Sequence, residues 1–514
     1  MNTFFLTDLV TPEVNLTIIL PEIVLAVAGI VVMLYDSFFP KQRTVTGVIS
    51  LIALAATGVI LAMLWSGGQP ATAWNGMIVH DSLRLSFSFV FVFVSAMTVL
   101  ISTVWVERED VAVGEYHALL LFATFGMLLM ASGNDLVVIF LGLETLSIAT
   151  YVMAALRKGD LRSNESGMKY FILGSFASAF LLYGMALIYG ATGSTDLTRI
   201  AEKVADPNFP GLLLVGAAML IVGFGFKVAL APFHVWAPDV YEGAPTAVTG
   251  FMAAGPKAAA FASFLRIFVL GLPFVAGVEV SGYLHKSWIS VLAVMAIITI
   301  VVGNVAAIMQ SNVKRMLAYS SIAHAGYAMT GFIGAGLAAS AAARSEAIAA
   351  VAFYMLTYAI TNMGAFAIVT LLAEKNDRRT EFEDYNGIGF KTPVLAFSLS
   401  LFMLSLLGLP LTAGFMGKIL VFRPALEAGY PLVTALVVVA VVGTAISAYY
   451  YLRMIVVMFF KERTTEWQPP RIPAALAATL IITVAGVFYF GIFADRVITI
   501  FSTSPSAAVI AADK

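Results

Sequence analysis

The sequence contains no cysteine and very little charge. Only 11% of its 514 residues are Asp, Glu, Lys or Arg, against about 25% in an ordinary soluble chain. The absence of cysteine excludes disulfides, thiolate nucleophiles, Cys-ligated iron–sulfur clusters and Cys-type zinc sites within this chain. The 29 basic and 30 acidic residues give a net charge of −1, so the chain has no basic field of the kind that binds nucleic acid.

Apolar runs long enough to cross a bilayer dominate what remains. Hydrophobic residues make up 60% of the chain, which is more than a water-soluble fold can shield from water. Runs such as 212–222 are apolar on every side, unlike the alternating strands of a membrane β-barrel. Because a span needs about 20 mostly apolar residues, we expect an all-α polytopic membrane protein with about 14 transmembrane helices. They are predicted at 17–35, 44–65, 83–106, 115–131, 134–156, 164–190, 209–236, 243–269, 287–309, 313–338, 346–373, 393–422, 432–460 and 472–498.

Basic residues orient the predicted spans. Of the 29 basic residues, 17 lie in loops or near span ends on one side of the bundle, 9 lie on the other side, and 3 lie deep within spans. Loops rich in Lys and Arg face the cytoplasm, so the richer side is predicted to be cytoplasmic. With an even number of spans, both chain termini are expected on the opposite, non-cytoplasmic side.

The chain reads as one integral membrane domain over residues 1–514. The longest polar connection, residues 374–392, carries charges of both signs and is interpreted as a solvated linker. The sequence LSIA at 146–149 is echoed by SSIA at 320–323, five spans later, and an offset of five spans inverts topology, as in inverted-repeat transporters. We therefore expect spans 1–3 at about 17–110, a first five-helix repeat at 115–270, an inverted second repeat at 287–460, and span 14 at 472–498.

Four ionisable residues fall inside predicted spans: Glu144, Lys227, Lys257 and Lys418. A charge at the bilayer centre costs at least about 2.5 kcal/mol, so each position is a candidate functional site. The alternative is that Glu144 and one lysine form a buried pair that fixes helix register, which leaves the other two lysines unexplained. Lys169 and Arg266 lie near span ends and are interpreted as side chains that reach back to the interface.

Helix-breaking residues accompany two of these lysines. Pro232 follows Lys227 by five residues, and Pro410 precedes Lys418 in a segment that is also rich in glycine. Irregular backbone at membrane depth survives only where it is buried in protein or lines a water-filled cavity. Two interrupted spans in corresponding halves are typical of an ion pathway, so spans seven and twelve are predicted to be broken helices.

Two histidines are candidates for proton transfer. His324 lies in span ten beside the hydroxyl groups of Ser320 and Ser321, where it is either a proton carrier or a core histidine with satisfied hydrogen bonds. His234 follows Pro232 and is a candidate link from Lys227 to water through Asp239 and Glu242, with the same alternative open.

Three runs of sequence carry a resemblance to a known family. They are FLGLETLS at 140–147, FK at 226–227 with PFHVWAPDVYEGAPT at 232–246, and PLTAGF at 410–415 followed by Lys418. With these motifs and about 14 spans, the whole chain resembles the subunit N family of the bacterial proton-translocating NADH:quinone oxidoreductase, respiratory complex I. The YEGAPT stretch and a lysine at 418, where one sister subunit carries glutamate, favour subunit N over its antiporter-like relatives.

The resemblance implies a role for each candidate residue. Glu144 corresponds to the glutamate that pairs with the lysine of span seven, Lys227. Lys257 corresponds to a connecting group in span eight, His324 to a histidine of the central hydrophilic axis, and Lys418 to the terminal proton-donating lysine.

The resemblance also implies a setting for the chain. NADH, FMN, iron–sulfur clusters and quinone belong to partner subunits, and this chain is expected to hold no cofactor and no metal. The expected partners are the other membrane-arm subunits, in a hetero-oligomer in the bacterial inner membrane with both termini periplasmic. Two alternatives stay open: a subunit of a multi-subunit cation/proton antiporter, and a purely structural membrane scaffold.

Overall fold

The computed structural model describes residues 14–40, 42–67, 71–109, 111–204, 207, 209–272, 279–463 and 470–503. Both chain termini lie outside these ranges, and their location on the non-cytoplasmic side stays a prediction. Within the described residues, twelve helices are long and apolar enough to cross a membrane. The prediction of an all-α polytopic membrane protein is confirmed.

The described residues of the first half of the chain form ten α-helices and one short antiparallel β-hairpin. The elements in chain order are α1 (Leu16–Phe38), α2 (Arg43–Ser66), β1 (Ala71–Ala73), β2 (Ile78–His80), α3 (Ser82–Glu109), α4 (Val113–Ser132), α5 (Leu136–Ala154), α6 (Leu161–Thr192), α7 (Leu197–Lys203), α8 (Pro210–Val228), α9 (Trp236–Gly243) and α10 (Thr246–Leu265), which continues as a π-helical turn over Arg266–Gly271.

In the second half, the part of the chain that the structure describes adds nine α-helices and two 3₁₀ turns. They are α11 (Glu279–Ile308), α12 (Val313–Leu337), α13 (Ala341–Leu372), the 3₁₀ turns Lys375–Asp377 and Phe382–Tyr385, α14 (Ile388–Lys391), α15 (Pro393–Leu407), α16 (Ala413–Glu427), α17 (Pro431–Phe460), α18 (Ala474–Ile492) and α19 (Ala494–Thr503).

Each of the fourteen predicted spans contains a helix, and two of the spans are broken. In span seven, α8 ends at Val228, its cap residue Ala229 is left-handed with φ 60°, and α9 begins only at Trp236. In span twelve, α15 ends at Leu407, its cap residue Gly408 is left-handed with φ 93°, and α16 begins only at Ala413. Both helix breaks were predicted from proline and glycine, and both are confirmed. The division of the chain into two inverted repeats stays a prediction.

Two helices form the centre of the bundle. All residues of α10 are buried, and α13 is buried continuously from Ala347 to Leu372. Close approach of the two helices depends on Gly250, where a Cβ atom would lie only 2.9 Å from the Cβ of Phe366. The lysine of α10 therefore lies in the protein interior and not at a surface that faces lipid.

Two interpretations of charged residues are wrong. Arg266 does not reach the interface, because its side chain is 1% exposed and pairs with the carboxylate of Asp81 at 2.8 Å. The linker at 374–392 is not solvated throughout, because Asp377 is 4% exposed and paired with cations. Lys169 behaves as predicted, with 40% of its side chain exposed.

Candidate functional site

Three buried lysines lie at or near irregularities of their helices. Lys227 is in the last turn of α8, directly before the break. Lys257 follows Pro256 inside α10, where proline removes a backbone hydrogen bond. Lys418 lies in the second turn of α16, and Gly408 leaves room for it, because a Cβ atom there would come within 3.3 Å of the lysine Cδ.

Lys227 is held by two hydroxyl groups of α5. Its Nζ donates to Ser147 Oγ at 2.6 Å and to Tyr151 OH at 3.1 Å. Glu144 lies one turn before Ser147 on the same helix, and its carboxylate accepts a hydrogen bond from Ser178 Oγ at 2.5 Å. Among the described residues no ion pair joins Glu144 to Lys227. The structure brings the two residues into one site without a direct contact, because Glu144 is bonded to Ser178 and Lys227 is bonded to Ser147.

Glu144 is less buried than the sequence led us to expect. Its side chain is half-buried, and its neighbours Leu141 and Ile148 on α5 are 56% and 58% exposed. The carboxylate therefore lies at the edge of the chain, whereas Lys227 lies inside it with 9% exposure.

Lys257 joins the two halves of the chain. Its Nζ donates to the backbone oxygen of Ser321 at 2.9 Å and to the Ser321 hydroxyl at 2.5 Å. Ser321 belongs to α12, the helix that also carries His324. The predicted polar stripe of span ten therefore faces the lysine of span eight.

His324 is surrounded by tyrosines. Its Nδ1 is 2.7 Å from Tyr354 OH, and its Nε2 is 3.2 Å from Tyr451 OH. The Tyr451 hydroxyl is also 2.5 Å from Ser320 Oγ. Both ring nitrogens of His324 thus contact hydroxyl groups that can donate or accept a proton.

Lys418 closes the series at the second broken helix. Its Nζ donates to the backbone oxygens of Leu406 and Leu407, at 3.0 and 2.8 Å. These carbonyls lie at the end of α15, where a helix has no hydrogen-bond donors of its own and carries negative partial charge. The ring of Tyr327 lies 4.9 Å from the ammonium group. Across the described residues, no carboxylate lies within ion-pair distance of Lys227, Lys257 or Lys418.

His234 is not connected to the acidic residues that were predicted to join it to water. Asp239 and Glu242 instead pair with Arg315, each at 2.8 Å, and Asp239 also accepts from Lys169 at 2.7 Å. The Nδ1 of His234 is buried, with no hydrogen-bond partner in the described part of the chain.

Sequence comparison identifies the family. Residues 133–447 match the family described as NADH:quinone oxidoreductase/Mrp antiporter, TM. NADH-quinone oxidoreductase subunit N of Trichlorobacter lovleyi is 41% identical to this chain over 488 residues, which cover 94% of this chain and 96% of that protein. This chain belongs to the NADH-quinone oxidoreductase subunit N family.

Solved structures agree with this family membership. A chain of respiratory complex I from Thermus thermophilus with bound aureothin matches with a TM-score of 0.77 at 35% identity, covering 94% of this chain and 100% of that one. A chain of the Mrp complex from Dietzia sp. matches with a TM-score of 0.80 at 19% identity, covering 95% of this chain and 97% of that one, and shows likeness of fold alone. The resemblance to subunit N that the motifs indicated is confirmed.

This subunit N family member also contains a charged cleft at the end of the bundle where the predicted cytoplasmic loops lie. The cleft has a volume of about 240 Å³ and is lined by Arg162, Glu165, Ser166, Lys169, Asp239, Glu242, Gly243 and Arg315. Burial raises the pKa of Asp239, but hydrogen bonds from Lys169 and Arg315 outweigh it and hold that pKa below its usual range. Asp239 and Glu242, which were predicted to connect His234 to water, thus belong to an open, charged cleft.

The tyrosines of the site were missed by sequence reasoning. Tyr151, Tyr354 and Tyr451 are at most 5% exposed, and none of the sequence motifs singled them out. A tyrosine near the middle of a span has its hydroxyl far from the interface, where a buried hydroxyl needs a partner. That position is the signal that could have identified Tyr354 in α13 and Tyr451 in α17, whereas Tyr151 lies in the last turn of α5.

Proposed function

We propose that this chain conducts protons through the membrane arm of an NADH-quinone oxidoreductase along Glu144, Lys227, Lys257, His324 and Lys418. The observation that carries the proposal is that three buried lysines are each held by neutral oxygen atoms alone in the described structure. A cation kept only for structure would be expected beside a carboxylate. A lysine held by hydroxyl and carbonyl groups can keep or release its proton.

The first step of the proposed route is the approach and separation of Glu144 and Lys227. When the carboxylate moves toward the ammonium group, it stabilises the protonated lysine. When it withdraws to Ser178, as in this structure, the lysine is left with Ser147 and Tyr151 and can pass its proton on. The charged cleft lined by Asp239 and Glu242 supplies the proton from the cytoplasmic side.

The energies of this step are sufficient. Moving one charge against a membrane potential of ~150 mV costs about 3.5 kcal/mol, which equals about 2.5 pK units. An ion pair at 4 Å is worth about 4 kcal/mol at an effective dielectric constant of 20. Making and breaking one carboxylate–lysine contact therefore covers the cost of transferring one proton.

The later steps follow the contacts around α12. Lys257 donates to Ser321. The hydroxyl of Tyr451 contacts both Ser320 and His324. Lys418 lies at the second helix break. We assign the hydroxyl of Tyr451 to the link between Lys257 and Lys418. His234 has no contact in this series and is left out of the proposed route.

A multi-subunit assembly accounts for the position of Glu144. The carboxylate lies within a span yet is only half-buried, beside exposed leucine and isoleucine. A charged group at this depth is unfavourable against lipid and favourable against protein. We therefore infer that a partner subunit of the oxidoreductase covers this face of α5. NADH, FMN, iron–sulfur clusters and quinone are assigned to partner subunits.

The orientation of the chain in the bacterial inner membrane follows from its basic loops. The 17 to 9 distribution of basic residues supports periplasmic chain termini. A reporter enzyme that works only in the periplasm should be active when it is fused after Lys514. Activity of a cytoplasm-specific reporter at that position would contradict the proposed orientation.

The experiment that tests the proposed function replaces Glu144 and Lys227 separately by alanine in the assembled complex. Each variant should assemble, because the lost contacts are few, and each should lose most proton pumping in reconstituted vesicles driven by NADH. Matched controls are Glu383→Ala and Lys391→Ala, which alter exposed residues at the cytoplasmic side. Normal pumping by both site variants would rule out this pair as the switch.

Cation/proton antiport is the second candidate function, because the family that matches residues 133–447 includes Mrp antiporters. Sodium transport requires oxygen cages built from carboxylates or carbonyls, whereas the described site presents lysines. Pumping in the same vesicles should therefore be independent of sodium. A strict requirement for sodium would favour the antiporter.

A further inference from the structure

Asp377 occupies an unusual place for a linker residue. It lies between α13 and α15, in the polar connection that joins the two halves of the chain, yet it is 4% exposed. Its carboxylate is 3.1 Å from Lys314 Nζ, 3.2 Å from Arg157 Nη1 and 3.6 Å from Arg108 Nη2. It also accepts the backbone N–H of Thr246 at 3.1 Å. One carboxylate therefore contacts four other segments of the chain.

The linker backbone is strained where it brings this carboxylate inward. Glu374, Asn376 and Asp377 have φ values of 26°, 60° and 50°, which residues other than glycine rarely adopt. The strained turn is held by Glu109, whose carboxylate accepts the N–H of Asn376 at 2.8 and 3.1 Å. Strain of this kind persists only where the surroundings compensate it, so the inward position of Asp377 is specifically maintained.

The contacts of Asp377 fix the starting points of two helices. Thr246 is the first residue of α10, and a carboxylate at a helix N-terminus is favoured by the helix dipole. Lys314 lies in the first turn of α12 and also donates to the backbone oxygen of Ala244 at 2.6 Å. Arg157 donates to the neighbouring oxygen of Gly243 at 3.0 Å. The ends of α9, α10 and α12 thus meet around one anion.

These two starting points determine whether Lys257 reaches Ser321. Lys257 lies eleven residues after Thr246 and Ser321 lies seven residues after Lys314, which correspond to about 16 and 10 Å of helix. A helical side chain leans back toward the N-terminus of its helix. The side chain of Lys257 therefore bridges the difference between these two distances along the helix axes. A shift of either helix along its axis would separate Nζ from the serine.

We propose that Asp377 is a positioning residue of the proton pathway: it holds α10 and α12 in the axial register that brings Lys257 onto Ser321. This inference rests on the proposed function, because it assigns a purpose to that contact. The linker then has a second role besides joining the halves, since it sets the alignment of the first half against the second.

The test uses the assembled complex in vesicles and measures protons pumped per NADH oxidised. This ratio does not depend on how much complex assembles, so a purely structural effect does not change it. Asp377→Asn removes the charge and keeps the shape. We expect it to reduce proton transfer through this chain by up to about 100-fold, the scale of a positioning error near 1 Å. Asp377→Glu, which keeps the carboxylate, should restore part of the ratio.

A second variant probes the contact without changing any charge. Thr246→Pro removes two groups. One is the N–H that Asp377 accepts, and the other is a side-chain hydroxyl that has no hydrogen-bond partner in the described structure. Proline suits the first position of a helix. The preceding residue, Pro245, already has φ −53° and ψ 137°, as a residue before proline requires. We expect the ratio to fall in this variant also.

Glu383→Gln is the matched control, because Glu383 is an exposed acid of the same linker, and it should pump normally. A normal ratio in an assembled Asp377→Asn or Thr246→Pro complex overturns the inference. Failure of both variants to assemble assigns the contact to folding and overturns the inference as well.

Lys257→Gln separates the proposed relay from the positioning role of Asp377. If that variant pumps normally, the proposed relay is wrong. If it fails while Asp377→Asn pumps normally, only the positioning role is wrong.

Discussion

Lys418 shows most clearly what a single residue contributes to this site. The residue is 5% exposed, and its ammonium group donates hydrogen bonds to the carbonyl oxygens that end α15. Those oxygens are fixed dipoles that stabilise a cation without forcing it to stay charged, as a carboxylate would. Arginine in the same place would be a permanent cation, because its guanidinium group does not lose a proton in proteins.

We predict that Lys418→Arg assembles into the complex and loses proton pumping by at least about tenfold, a conservative value for loss of an acid–base group. Lys418→His should retain part of the pumping, since histidine exchanges protons near neutral pH. The measurement is acidification of vesicles driven by NADH. Lys391→Arg, at an exposed position, serves as the control and should behave like wild type. If Lys418→Arg pumps as well as wild type, the residue is a fixed charge.

At the scale of helices, the sequence predicted what proline, glycine and hydropathy determine. The breaks in spans seven and twelve and the four ionisable residues could be located because each signal is local in sequence. The partners of those residues could not, because Ser147 and Lys227 are 80 residues apart, and Asp81 and Arg266 are 185 apart. Packing between helices determines such pairs, and no local pattern encodes it.

Arg266 leads to a prediction at this scale, because its pair ties the π-helical turn after α10 to the start of α3. Arg266→Met would leave the buried carboxylate of Asp81 without its main partner. We expect the variant to lose about 3–5 kcal/mol of stability, the usual effect of breaking a buried pair. The midpoint of thermal unfolding of the solubilised complex should fall clearly.

The control for this prediction is Arg423→Met, which breaks the pair between Arg423 and Glu427. Both of those side chains are more than 60% exposed, and pairs of this kind contribute little to stability. The unfolding midpoint of this variant should match that of the wild type. An unchanged midpoint for Arg266→Met would mean that Asp81 finds another partner.

At the scale of the whole molecule, the polar groups are collected on the inside. α12 carries Lys314, Ser320, Ser321 and His324, all at most 5% exposed, and faces α10, α13 and α17 with them. The outer helices, such as α18, present apolar side chains. The same division keeps the proposed proton pathway away from lipid and leaves α12 without a strongly apolar surface.

This composition of α12 has a consequence for biosynthesis. The helix is 25 residues long, yet it is not among the twelve that are apolar enough to cross a membrane by themselves. A translocon releases a segment into lipid according to its apolar content, and α12 carries Lys314 and Arg315 in its first turn and Ser320, Ser321 and His324 further along. We predict that α12 placed alone in a host protein inserts inefficiently, whereas α11–α12–α13 inserts as a unit.

An insertion assay in microsomes measures this difference, with α18 (Ala474–Ile492, mean hydropathy 2.2) as the helix that should insert alone. Equal insertion of α12 and α18 would contradict the prediction. If the prediction is correct, α12 enters the bilayer stably only after the ribosome has completed α13. The helix that carries His324 of the proposed proton route would then depend on its neighbours for entry into the membrane.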